Sequence, residues 1–249
     1  MTPEDHERNA LSYTLLALVA AVVTLGVFHA FPGLDLAAAK LFCHAYAPGD
    51  AMFAGRYCPG FPAQDDWRLR AVRKVLFYLP PMAATLFAVD MLYRRAVTPP
   101  WLCRGYRLEA MALLAYLAVP ICLVNGVFKE YSGRPRPYDT TLFGGDLNFV
   151  SVADFTGACT RNCSFVSGEA AAAGWLLGVA LILPSRYSLL RLALIVASIV
   201  TPVLRVAMGG HYLSDALLGW LAGAISLPLM MVASSALKRP RMQVIKSRT

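Results

Sequence analysis

Histidine is scarce in this 249-residue chain: there are four, His6, His29, His44 and His211. No His–Cys pair or cluster of carboxylates accompanies His211, which argues against a catalytic divalent metal. Charge is scarce too. Asp, Glu, Lys and Arg make up 15% of the residues, fewer than a soluble domain of this size carries. Also absent are a glycine-rich phosphate loop, a heptad array, a low-complexity tract and an internal repeat strong enough to use. Neither a nucleotide cradle nor a repeat architecture is on offer. Hydrophobic residues, by contrast, make up 57% of the chain, and its mean hydropathy is +0.53. Several apolar runs reach the roughly 20 residues that cross a bilayer. The net charge of +8 fits lysines and arginines held at a cytoplasmic membrane face. The basic residues lie between apolar runs and form no stripe, which speaks against a nucleic-acid partner.

The runs predict an all-α fold: one polytopic membrane domain over residues 1–249, a bundle of six transmembrane helices at about 11–30, 71–92, 108–128, 167–183, 192–208 and 212–237. The first run is too long for a signal-peptide core, and Glu4 and Asp5 spoil the basic start such a peptide needs, so it reads as a retained helix. Residues 31–70 are broken by Pro32, Pro48, Pro59 and Pro62, with room for a short interfacial helix over 34–42. Pro80-Pro81 should kink the second span. The basic Arg94–Arg107 loop, the Arg186–Arg191 turn and the tail from Lys238 fall on one side. That side is therefore cytoplasmic, and both termini lie there. Gly174-x-x-x-Gly178 and Gly219-x-x-x-Gly223 mark helix faces that can approach closely, expected to pack inside one bundle.

This topology collects three polar clusters on the opposite face. Lys129 to Arg136 lies where the third span exits. Ser167-Gly168-Glu169 lies where the fourth enters. Arg205-Val-Ala-Met-Gly-Gly-His211-Tyr-Leu-Ser-Asp215 joins the fifth to the sixth, with Gly209-Gly210 breaking the helix. Were the sixth helix to begin near His211, that residue and Asp215 would share one face. A carboxylate beside an imidazole fixes its tautomer and supports it as a nucleophile or base. Lys129, Arg134, Arg136 and Arg205 are four cations at one membrane surface, and such a ring calls for an anion. Ser167 and Gly168 would add backbone N–H groups at a helix N-terminus.

Lys129 with six residues before Arg136-Pro137, Ser167-Gly168, and Arg205 with five residues before His211 and three more before Asp215 resemble the three ordered signatures of the type 2 phosphatidic acid phosphatase superfamily. The resemblance runs from Lys129 to Asp215 and implies a six-helix bundle that removes phosphate from a membrane lipid phosphate without metal or cofactor. It implies that His211 attacks phosphorus to form a phosphohistidine and that Asp215 orients it. Lys129, Arg136 and Arg205, with Ser167 and Gly168, would cradle the phosphoryl oxygens. Val166 and Leu204 replace residues usual in the signatures. Glu169 stands where the family's leaving-group histidine should be. It is either a general acid, protonated only in the substrate complex, or a carboxylate that orients Arg136 or Arg205.

The resemblance implies as substrates a lipid A phosphate or undecaprenyl diphosphate, with phosphatidylglycerophosphate as a further candidate. Compactness and the cysteine pattern point to a bacterial inner membrane, and the topology puts the active site on its non-cytoplasmic, periplasmic face. Transfer to a lipid acceptor and non-catalytic lipid-phosphate binding are the alternatives. An oxidising periplasm would favour disulfides Cys43–Cys58 and Cys159–Cys163, leaving Cys103 and Cys122 as thiols.

Overall fold

The computed structural model describes residues 3–43, 60–97 and 107–236. Its long elements are α1 (Pro3–Ala30), α3 (Trp67–Val97), α4 (from Arg107), α5 (Gly168–Ile182), α6 (Ser188–Ala207) and α7 (Leu213–Ala236), with the short α2 (Gly33–Lys40) after α1. The fold is all-α, and the long helices follow the apolar runs. Five of them are long and apolar enough to cross a membrane. The Arg104 part of the basic loop and the tail from Lys238 lie outside the described residues.

Proline shapes two helices differently. α3 continues as helix across Pro80-Pro81. In α4, Arg107–Tyr116 is α-helical and Leu117–Phe128, which contains Pro120, widens to a π-helix before the turn Lys129–Tyr131. Proline cannot donate to the preceding turn, so the backbone bonds around it must shift.

α5 is the centre of the bundle. Its 15 residues span about 22 Å at the α-helical rise, too short for the hydrocarbon layer. Ten of those residues are buried by neighbouring helices, so α5 needs protein around it more than lipid. In α1 and α3, by contrast, only 11% of the apolar window is buried, leaving their aliphatic faces for the bilayer. Trp175 of α5 is fully enclosed. Its indole N–H donates to the Ala112 carbonyl at 2.8 Å, and its ring lies 4.8 Å from Tyr116 and 6.3 Å from Phe87.

The two glycine pairs meet across α5 and α7. A methyl at Gly174 would lie 2.0 Å from the Trp220 carbonyl oxygen, and one at Gly223 would lie 1.8 Å from that of Ala171. These backbones touch because no side chain separates them.

Candidate active site

Six segments meet at one end of the bundle: the starts of α3, α5 and α7, the ends of α4 and α6, and the loop after Lys129. The break between α6 and α7 is made by Gly209, whose φ is +63°. α7 begins at Leu213, not near His211. His211 therefore precedes the helix, and the two side chains do not share a helical face. Asp215 lies in the first turn and accepts from the Tyr212 N–H at 3.3 Å.

His211 is 1% exposed. Its Nδ1 lies 2.8 Å from the Ser164 carbonyl oxygen. A carbonyl cannot donate, so Nδ1 carries the proton and Nε2 keeps a free lone pair. Asp215 reaches the ring through the same residue: the Ser164 hydroxyl donates to Asp215 Oδ2 at 2.5 Å and lies 3.5 Å from Nδ1. Burial, then the charges of Arg205, Arg136 and Lys129, hold the imidazole well below its ordinary pKa. These effects favour the neutral ring.

Arg134 does not belong to the phosphate-facing cations that the sequence suggested. It is 1% exposed and saturated. Its Nη1 donates to Asp215 Oδ1 at 2.5 Å and to Ser214 Oγ at 2.9 Å. Its Nη2 donates to Asp35 Oδ2 at 2.7 Å, and its Nε to the Val150 carbonyl at 2.9 Å. The guanidinium lies 4.5 Å from the Tyr212 ring centroid. Asp35, from α2, also accepts from the N–H and hydroxyl of Ser214 at 2.8 and 2.6 Å. Two buried carboxylates thus share one guanidinium, and Asp215 is fixed from behind.

The other cations keep free capacity. Arg136 spends Nε and Nη2 on the Asn162 carbonyl, at 3.2 and 3.0 Å, and Nη1 on the Tyr138 hydroxyl at 2.9 Å. A carbonyl and a phenol are neutral partners, and among the described residues Arg136 forms no direct ion pair, although Asp139 lies within electrostatic reach. Arg205 is 4% exposed and lies against Gly210, where a methyl would fall 2.4 Å from its Nη2. Its Nε is buried with no hydrogen-bond partner, although the Glu169 carboxylate is 3.5 Å away. Ser167 caps α5 by accepting from the Ala170 N–H at 3.3 Å. A methyl at Gly168 would meet Asn125 Oδ1 at 2.4 Å. Lys129, Gly168 and Glu169 line a cavity of about 150 Å³ between α3, α4 and α5.

Glu169 is gripped by Arg73 of α3, a residue that the signatures do not include. Ser164 and Asp35 are likewise contributors that the sequence left unnamed. For Arg73 the available signal was position: a charge just inside an apolar run, at the same membrane end as the signatures. Cys159 and Cys163 form a disulfide in the loop over the site. The Cys159 N–H donates to the Gly133 carbonyl and that of Cys163 to the Lys129 carbonyl, at 2.9 and 3.0 Å. Cys122 is a free thiol. Cys58 and Cys103 lie outside the described residues, so the Cys43–Cys58 pairing does too. Among the described residues no cluster of His, Cys, Asp and Glu could hold a metal ion.

A bundle of apolar helices with a buried imidazole close to several cations is the arrangement expected of a membrane phosphatase. The chain belongs to the PAP2 superfamily, whose model matches residues 109–239. It is similar to the lipid A 4'-phosphatases of Rhizobium etli and Rhizobium leguminosarum, each 38% identical over 216 residues. These alignments cover 85% of this chain and 83% and 92% of the respective relatives. The lipid A 4'-phosphatase of Francisella tularensis subsp. novicida is 30% identical over 213 residues, covering 82% of this chain and 87% of the relative. The fold resembles the crystal structure of a transmembrane PAP2 type phosphatidylglycerolphosphate phosphatase from Bacillus subtilis. That match has a TM-score of 0.55 and 18% identity over 91% of this chain and 98% of the other.

Proposed function

We propose that this membrane lipid phosphatase removes a phosphate from lipid A through a phosphohistidine on His211, at the periplasmic face of a bacterial inner membrane with both termini cytoplasmic. The observation that carries the reading is the imidazole itself. Nδ1–H is committed to the Ser164 carbonyl, so the lone pair on Nε2 is the one available to phosphorus. The similarity to three lipid A 4'-phosphatases supports the substrate, and the basic cytoplasmic segments support the orientation.

In the first step Nε2 bonds to phosphorus, the ester P–O bond breaks, and the departing oxygen takes a proton from water. Lys129, Arg136 and Arg205 neutralise charge on the equatorial oxygens, with the α5 N-terminus at Ser167 and Gly168 beside them. In the second step water attacks phosphorus, the P–N bond breaks, and phosphate leaves with the imidazole restored. Asp215 holds the ring through Ser164 and supports the transient positive charge on it. No step calls for a metal.

The test is phosphate release from lipid A, undecaprenyl diphosphate and phosphatidylglycerophosphate in detergent, with His211→Ala as control. Lipid A should be hydrolysed fastest, His211→Ala should release nothing, and activity should survive EDTA and be blocked by vanadate. Preference for another lipid overturns the substrate. Activity lost to EDTA and restored by Zn²⁺ or Mg²⁺ overturns the metal-free mechanism. Phosphate that appears on an added lipid acceptor and not in water identifies a transferase. Binding without release identifies a non-catalytic binder.

A further inference from the structure

Arg73 belongs to none of the three signatures and precedes residues 109–239 of the family match. It sits two turns into α3, at the membrane end where the site lies. Its fork closes on Glu169: Nε donates to Oε2 at 3.1 Å and Nη2 to Oε1 at 2.6 Å. The same Oε1 faces Arg205 Nε at 3.5 Å. Three helices, α3, α5 and α6, are thereby joined by one carboxylate held between two guanidiniums.

This geometry bears on what Glu169 can do. Both of its oxygens accept from Arg73, and a bidentate guanidinium pair demands an ionised carboxylate. To deliver a proton, Glu169 would first have to acquire one and release Arg73. As an anion it can instead hold Arg205, whose Nε has no hydrogen-bond partner. The Glu169 side chain is 11% exposed and that of Arg73 39%, so the pair spans the boundary between the protein interior and the cavity that Glu169 lines.

We propose that Arg73 is a positioning residue that fixes Glu169 as an ionised brace and, through it, aims the Arg205 guanidinium at the phosphoryl group. The inference rests on the phosphatase reading but is indifferent to which lipid is cleaved. It replaces a proton donor at the position of Glu169 with an electrostatic strut.

Four variants of the full chain test it: Arg73→Gln, Arg73→Lys, Glu169→Gln and the double Arg73→Gln/Glu169→Gln. Arg73→Gln should lower kcat/KM by about 10²-fold, the scale of a misplaced catalytic group, and weaken vanadate in parallel. Glu169→Gln should match it, and the double variant should be no worse than the poorer single one. Arg73→Lys should recover part of the loss. The alkaline limb of the pH profile should be unchanged in Glu169→Gln. Additive losses would overturn the brace, as would a disappearing alkaline limb. Arg73→Gln that melts earlier but keeps kcat, KM and vanadate affinity would reduce the pair to a structural clip. Vanadate binding, read as a thermal shift, tests the brace even on a poor lipid. Failure of the phosphatase reading shows separately, as activity retained in His211→Ala.

Discussion

Arg134 and Arg205 are equal charges in the sequence and opposites in the fold. Arg134 is spent on Asp35, Asp215, Ser214 and Val150, whereas Arg205 keeps a donor without a hydrogen bond. Spacing within short motifs singled out Lys129, Arg136, Arg205, His211 and Asp215 as candidates, because a motif is read from neighbours in the chain. It could not locate Ser164, Arg73 or Asp35, whose partners lie 47, 96 and 99 positions away. Nor does charge reveal burial, which is why Arg134 was counted among the cations of the ring. The protonation of His211 follows from its surroundings. Burial and three neighbouring cations depress its pKa well below 6.5, so the ring stays neutral as pH falls through that value. The acid limb of kcat/KM should therefore lie well below pH 6.5, and Arg136→Ala should move it upward. A limb at the ordinary imidazole value would contradict this. Stability has the matching sign: below the ordinary value the unfolded chain binds a proton that the folded chain refuses, so stability falls as pH drops through that window.

The helices follow the hydropathy closely because lipid makes long apolar runs obligatory. Their ends are set by local chemistry that hydropathy does not register. The α7 start moved to Leu213 because Asp215 caps the Tyr212 N–H. The place of α5 at the centre depends on glycines that let α7 approach. A side chain at Gly174 or Gly223 meets backbone carbonyl at 2.0 or 1.8 Å, and backbone cannot swing aside. Gly174→Ala or Gly223→Ala should cost about 1–3 kcal/mol by overpacking. Gly26→Ala in α1 has nothing within 4 Å and should be tolerated. Thermal unfolding in detergent compares them; equal melting of all three variants would refute close packing at the seam. The same seam sets the catalytic floor, since Gly219 lies against the Ser167 carbonyl, 2.4 Å from an added methyl. Seam variants should thus lose activity as well as stability.

Across the whole molecule, an ionic core at one end joins α2, the loop after α4 and α7. Asp35, Arg134 and Asp215 are each at most 1% exposed, and α2 is held to the His211 corner through them. Removing one member strands a buried charge, at a cost of about 3–5 kcal/mol. Asp35→Ala should lower the melting temperature sharply. Asp35→Asn, which can still accept from Ser214, should fall between it and the wild type. Asp35→Ala that melts like the wild type would remove the core from any structural role. The corner around Glu169 has the reverse imbalance. Arg73, Lys129 and Arg205 act on one carboxylate, Glu169, and the buried Nε of Arg205 has no hydrogen-bond partner. An anion bound there offsets that excess of positive charge. Catalytic recognition and conformational stability are then linked functions: phosphate or vanadate at 100 times its Kd should add about 2.7 kcal/mol to the unfolding free energy, making the ligand a part of the folded state that the chain by itself leaves unfinished.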